Sequence, residues 1–460
     1  MTPPAHKTSL GGHTPTTDAL SPRQALANAP ESMRSLVQYE PRSLWEQDTA
    51  ALPEALAQLR RHVRKFAEQQ LAPRALATDL HPHDADIERE VLSAAFAAGL
   101  FSNSVPTADG QQRIALDNFP LAWSASIRSE ELAASCGGWA LLLAAHALGS
   151  TPLLLCGDPA AIARVFARAK QKNEAARQEG RAATPYLLAY AITEPAAGSD
   201  VEETSGALSA RPGTIARRAE GGWLLSGRKL YTSGGDIADA VMVFAALEGE
   251  GLDSWTCFLI ERGTSGFTPL RNENKMGQRA SAATELELRD AFVPDENVIG
   301  GLRQGWALNR ATLNFSRIPV AAIALGIARG AMEAAIDFVC QHRLGGLPLI
   351  DHQEIQLQVA QMISDTSSMR ATIWELARRP IPTQAAASIA KISCSDRALA
   401  ICETAMQLLS NQGVLHRHRV EKAVRDVRLT QIYEGTNDIN RLAIIEDLQE
   451  SLLRRLSAAE

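Results

Sequence analysis

The spacing of apolar residues switches twice along this chain, and that switch constrains the fold more than any other feature. From Leu44 to about Arg181 apolar residues recur three or four apart, as at Leu52, Leu56, Leu59, Val63 and Phe66. That is the period of helices buried along one face. Past Pro185 the character changes to short apolar runs, Tyr186–Ile192, Trp223–Leu225, Ala240–Ala246, Cys257–Ile260 and Glu285–Leu288. Gly, Pro, Asn and Asp separate these runs, so they read as strands. From Gly305 the helical period returns at Ile323, Ile327, Ala331, Ala334 and Phe338 and continues through Gln353–Ala377, Ala385–Ser410 and a terminal helix. The order predicts an α+β multi-domain chain. A flexible leader covers 1–43, an N-terminal α-helical domain 44–185, a β-barrel-like middle domain 186–301 and a C-terminal four-helix bundle 302–460. The leader reading rests on a Pro-, Thr- and Ser-rich segment without sustained period.

Composition then narrows the function classes. Lys+Arg 46 against Asp+Glu 52 gives a net charge of -6, so overall charge makes no case for nucleic acid. The six cysteines form no CxxC pair, which fits a reduced compartment better than a disulfide or zinc framework. The most apolar stretch, Trp139–Cys156, is interrupted by His146, Gly149 and Pro152 and reads as a buried helix. With no basic-then-apolar signal at the N-terminus, the expectation is a cytoplasmic protein. Gly326 and Gly330 lie four apart on a helix, so another helix can approach closely there. Over Arg164–Arg181 six basic residues stand against two acidic ones, the pattern of a solvated helix.

Two stretches carry chemistry. In Gln431–Arg441, QIYEGTNDINR, Glu434 precedes a glycine, and Thr436-Asn437-Asp438 suits a helix cap. Ile439, Leu442, Ile445, Leu448 and Leu452 then mark one apolar helix face. Glu434 is read at a sharp reversal outside a helix N-terminus, either as a general base or as a solvated turn carboxylate. In Ala191–Val201, AITEPAAGSDV, a strand ends in small residues and hydroxyls. Such a loop faces a flat ring or a phosphate with its backbone N–H groups, or is a surface turn.

Together these segments resemble the acyl-CoA dehydrogenase family. AITEPAAGSDV is similar to its flavin-loop signature, and QIYEGTNDINR, about 240 residues later, to its catalytic signature. GRKLYTSGGDIADAVMVFA, Gly266–Gly300, RLGGLPLIDHQEIQ and MQLLSNQGVLHRHRVEKAVRD resemble further segments in the expected order, so the resemblance spans Leu52 to Leu453. It implies FAD, an acyl-CoA thioester and α,β-dehydrogenation. Glu434 would take the α-proton, its own backbone N–H would hydrogen-bond the thioester carbonyl, and the β-hydride would pass to flavin N5. Burial should raise the Glu434 pKa.

The resemblance places flavin contacts at Tyr190, Ile192, Thr193, Gly198 and Ser199, at Tyr231 and Ser233, and at Arg343, Gln353, Gln407, Thr436 and Asp438. Ser199, Arg317 and Gly435 would meet the substrate. Ser316 stands where some members carry their base, which leaves Glu434 for that role. The resemblance further implies a homotetramer or homodimer, with bundle residues completing a neighbour's flavin site, and an electron-transfer flavoprotein as acceptor. Three features depart from the family pattern: the shortened RLGG around Arg343, Ser410-Asn411 in place of Gly-Gly, and the charged insertion Lys170–Arg181. A flavin oxidase or monooxygenase, and a non-catalytic relative, are the alternatives on the same fold.

Overall fold

Helical, strand and helical segments follow one another in the computed structural model, which describes residues 29–37, 42–101, 116, 118–196, 198–202 and 210–457. The chain divides into two compact units, Met1–Pro53 and Glu54–Glu460. In the first, residues 1–28 and 38–41 of the expected leader lie outside the described residues. Glu31–Val37 forms helix α1 and Leu44–Ala50 forms α2. A capping box starts α2: the Ser43 hydroxyl accepts from the Glu46 N–H, and the Glu46 carboxylate accepts from the Ser43 N–H.

The second unit opens with α3 (Glu54–Phe66), α4 (Ala75–Leu80) and α5 (Ala85–Ala97). Leu56, Leu59, Val63 and Phe66 form the buried face of α3, as their spacing requires. Helices α6 (Leu121–Ser135), α7 (Gly137–Leu155) and α8 (Pro159–Gln178) follow. Asp158 caps α8 and Pro159 opens it. The charged stretch is the C-terminal half of α8 and the turn after it. Lys172 reaches back to Asp239 at 2.7 Å and to the Pro185 carbonyl at 2.8 Å.

Among the described residues eight strands form one sheet: β1 (Leu188–Ala191), β2 (Ile215–Ala219), β3 (Gly222–Ser233), β4 (Ala240–Leu247), β5 (Thr256–Glu261), β6 (Phe267–Asn272), β7 (Ala283–Pro294) and β8 (Val298–Ile299). The order is β6-β7-β3-β2-β4-β5-β8, with β1 parallel to β4. The end strands β6 and β8 do not pair, so the barrel stays open. Every residue of β4 is buried, because both of its faces are covered. Val241, Val243 and Ala245 meet Leu225, Phe258 and Leu286 inside the curled sheet. Met242, Phe244 and Ala246 meet Leu153, Val165 and Leu308 from the helices. Such two-sided burial explains the unbroken apolar run at 240–247.

The last layer holds α9 (Gly305–Gln341), α10 (Gln353–Ala377), α11 (Gln384–Leu408), the short α12 (Val420–Leu429) and α13 (Asn437–Ser457). Four are the expected bundle, and α12 is an added helix of nearly three turns between the third and fourth. Helix α6 takes the close approach anticipated at Gly326 and Gly330. A Cβ on either glycine would lie 2.3 Å from a carbonyl oxygen of α6, Glu130 or Ala134. Helices α7 and α9 are long and apolar enough to cross a membrane, yet 67% and 83% of their most apolar stretches are buried inside the protein. They are core helices here. The apolar stripe on α13 is open instead: Leu442, Ile445, Leu448 and Leu452 are exposed, and the helix buries Asn437, Asn440 and Ala443. All six cysteines are unpaired.

Candidate active site

Between α12 and α13 the chain reverses through two consecutive left-handed residues, Glu434 at φ +57° and Gly435 at φ +80°. A glutamate held there is strained. The strain is fixed by the hydrogen bonds of the turn. The Glu434 carbonyl accepts from Arg317 Nε at 3.1 Å and Asn440 Nδ2 at 3.3 Å. The Gly435 carbonyl accepts from Lys391 Nζ at 2.7 Å and Asn440 Nδ2 at 2.9 Å. Glycine suits 435, where any other residue would be strained at this φ and would place a Cβ 2.4 Å from Glu202 Oε2. Thr436 then caps α13, its hydroxyl accepting from the Ile439 N–H at 3.2 Å.

With its carbonyl pinned inward, Glu434 presents its carboxylate to a cavity of about 120 Å³ between α6, α7 and α9. Leu132, Leu143, Val320 and Ile323 give the cavity apolar walls. Ser316 donates its hydroxyl to Glu434 Oε2 at 2.6 Å. Burial pushes the Glu434 carboxyl up from its ordinary value, while the Ser316 hydroxyl and the Arg317 and Lys391 charges pull it back. The Glu434 N–H makes no hydrogen bond among the described residues.

The AITEPAAGSDV loop reaches this turn through Arg317. Its guanidinium, buried on α9, also donates to Glu202 Oε2 at 3.3 Å, and Glu202 directly follows the turn Ser199–Val201. Two motifs 240 residues apart are thereby joined by one arginine. Burial raises the Glu202 carboxyl to about 7, against the pull of Arg317 and with the push of Glu434. Burial and Arg317 lower Lys391 to about 7.

Earlier in that loop the backbone is clamped to β3. The Ile192 carbonyl accepts from Lys229 Nζ at 3.1 Å, and the Thr193 carbonyl from the Leu230 N–H at 2.8 Å. Lys229 is fully buried and is neutralised by Glu194 at 2.7 Å. The Gly198 N–H donates to Asp200 at 2.6 Å, and among the described residues a Cβ at Gly198 would meet only Thr193, at 3.8 Å. On β3 the register with β7 shifts between Lys229 and Thr232. Tyr231 sits in this irregularity at φ +55°, with its residue surface 59% exposed, and Ser233 lines the cavity with Glu434. The Thr232 hydroxyl is buried with no partner among the described residues. An aromatic ring presented to solvent beside an open loop and an orphaned hydroxyl fits a flat, hydrogen-bonding ring such as a flavin.

The other expected residues lie elsewhere. The Tyr190 side chain faces the helices, and its hydroxyl donates to Asn309 at 2.6 Å. Asp438 is exposed and pairs with Arg441. Arg343 is exposed in a hairpin of Arg343–Leu344 and Leu347–Pro348, donating to the Gly346 carbonyl at 2.7 Å. Gln353 opens α10 and Gln407 lies near the end of α11, both exposed. Ser410 adopts φ +51°, the region glycine favours.

The sequence matches the family models for the acyl-CoA dehydrogenase N-terminal domain over residues 53–171, the middle domain over 189–291 and the C-terminal domain over 303–449. The chain belongs to the acyl-CoA dehydrogenase family. It is therefore an oxidoreductase. It is 32% identical to a cyclohex-1-ene-1-carbonyl-CoA dehydrogenase of Geobacter metallireducens, across 83% of this chain and 94% of that protein. The butyryl-CoA dehydrogenase structure from Megasphaera elsdenii superposes with a TM-score of 0.73 at 29% identity, covering 86% of this chain and 99% of the other. An acyl-CoA dehydrogenase of Bacillus anthracis, solved in complex with FAD, shares the fold with a TM-score of 0.73 at 24% identity, over 88% and 69% of the two chains.

Sequence reasoning missed Glu202, Lys391, Ser388 and Asn440. Ser388 accepts from Arg317 Nη1 at 3.4 Å. A signal was present for Lys391, a lone lysine within the weakly polar run Ala385–Ser395. Glu202 carried none, since an acid after a turn is usually solvated.

Proposed function

We propose that this enzyme dehydrogenates an acyl-CoA thioester between its α and β carbons, with Glu434 as the base that removes the α-proton. The observation that carries this reading is the Glu434 carboxylate, held on a strained turn and turned into an apolar cavity. Burial raises its proton affinity, which suits it to a weakly acidic C–H. Ser316 orients the carboxylate. Arg317 fixes the turn, and the Glu434 N–H, without a partner among the described residues, can donate to the thioester carbonyl as enolate character develops. Apolar walls exclude water from the α-carbon.

FAD, when bound, supplies the hydride acceptor. Ile192, Thr193, Gly198, Ser199, Tyr231 and Ser233 would hold it, with Tyr190 contributing main chain. Thr436 and Asp438 would lie at its edge. Ser199, Arg317 and Gly435 would meet the thioester. Arg343, Gln353 and Gln407 are exposed in one chain, which supports their serving the flavin of a neighbouring subunit in a homodimer or homotetramer. The open stripe Leu442, Ile445, Leu448 and Leu452 supports such an assembly. An electron-transfer flavoprotein is the proposed acceptor.

Anaerobic addition of acyl-CoA thioesters to the FAD-loaded protein tests the reading. Flavin bleaching with at least one thioester is expected. No bleaching across chain lengths and tail types, together with rapid oxygen uptake, would support an oxidase or monooxygenase instead.

A further inference from the structure

The cavity facing Glu434 contains a second charged group, and the chemistry above does not use it. Arg128 lies on α6, and its side chain lines the cavity beside Ala125, Ser129 and Leu132. Glu130, two residues on, turns about 200° away around the helix. There Glu130 and its neighbour Glu131 meet Arg60, Arg329 and Arg370. Those arginines are paired. Among the described residues Arg128 makes no ion pair, and its one hydrogen bond runs from Nη1 to the Leu100 carbonyl at a long 3.4 Å. A guanidinium has five N–H donors, so most of this one has no protein acceptor among the described residues. Burial lowers its pKa to about 10, with no carboxylate acting to raise it again. Glu434 and Arg128 share the cavity without pairing.

Arg128 is half-buried, and an unpaired cation on a wall with Leu132, Leu143 and Leu148 keeps part of its desolvation cost, which an anion would offset. An alkyl chain would leave that cost in place. A carboxylate would relieve it with two parallel hydrogen bonds to the guanidinium. We propose that the acyl group accepted here ends in a carboxylate, the substrate being the monothioester of a dicarboxylic acid whose free acid Arg128 binds on the α6 wall. This deepens the dehydrogenase reading and rests on it for the thioester end.

The test uses the FAD-loaded enzyme with matched thioesters, glutaryl-CoA against pentanoyl-CoA and adipyl-CoA against hexanoyl-CoA. Flavin reduction gives kcat/KM. Perturbation of the flavin spectrum, read also in Glu434→Gln, gives binding without turnover. Wild type is expected to favour one carboxylate-tailed thioester over its methyl-tailed partner by at least about tenfold. Arg128→Met should lower that ratio by on the order of 10²-fold, and Arg128→Lys should restore part of it. FAD content and melting temperature establish that the variants fold. A methyl-tailed preference in wild type, or a ratio unchanged in Arg128→Met, overturns the inference and leaves the dehydrogenase standing. Should no thioester bleach the flavin, the dehydrogenase reading fails and binding decides. Tighter binding of the carboxylate-tailed probe that Arg128→Met abolishes sustains the Arg128 site, and equal binding overturns it.

Discussion

Replacing Ser316 by alanine probes how the site sets the basicity of Glu434. The Ser316 hydroxyl has one proton and two acceptors in reach, the Leu313 carbonyl at 3.2 Å and Glu434 Oε2 at 2.6 Å. The shorter contact, to a charged acceptor, takes the proton. A hydrogen bond to an ionised group contributes about 1.5–3 kcal/mol. Losing it should raise the Glu434 pKa, since this hydrogen bond is one of the interactions that hold it down. The sign follows from the base being active when deprotonated. The rate of flavin reduction rises with pH through the Glu434 pKa, and Ser316→Ala should move that rise to higher pH. Above the new midpoint the rate should not fall below wild type on grounds of basicity, because a base of higher pKa is stronger. Stopped-flow flavin reduction over pH 5 to 10 with one saturating thioester measures this. An unchanged midpoint, or one moved downward, would refute the argument that Ser316 stabilises the ionised carboxylate.

Two further outcomes follow from the same geometry. Gly326→Val places a side chain where even a Cβ would be 2.3 Å from the Glu130 carbonyl, so α6 and α9 must separate. A loss of about 1–3 kcal/mol, seen as a lower apparent melting temperature, is expected, and an unchanged melting curve would contradict the packing. Glu202→Gln tests the second carboxyl at the turn, whose pKa burial raises to about 7. Between its ordinary value and 7 the folded protein holds a proton that the unfolded chain has lost. The contribution of Glu202 to stability is therefore complete at pH 4 and lost as pH rises through 7. Relative to wild type, the glutamine variant should gain melting temperature between pH 5 and pH 8. A constant difference would show that Glu202 does not titrate there.

The layers of the fold were legible in the sequence because each has its own apolar period. The strands that apolar period did not pick out, β2 (IARRA), β6 (FTPLRN) and β8, are short, and the first two carry exposed arginines that hide the alternation. On α13 the spacing of Leu442, Ile445 and Leu448 identified a face and could not tell whether this chain covers it. At the site, Glu434 was readable because a turn, a cap and a following helix coincide within ten residues. The groups that hold it were not. Arg317, Lys391 and Glu202 come from three distant segments, and only packing brings their charges together. Arg128 was equally silent, because the helical pattern around Ile127 does not say which flank of α6 meets a cavity.

The proposed chemistry turns on Glu434 as the base. Glu434→Gln keeps the shape of the turn and removes the proton acceptor. With a thioester that bleaches the wild-type flavin, this variant should still bind FAD and perturb the flavin spectrum on thioester addition. Its rate of flavin reduction should fall by about 10²–10⁴-fold. Reduction at the wild-type rate, with FAD and thioester bound, would contradict the assignment of the α-proton to Glu434.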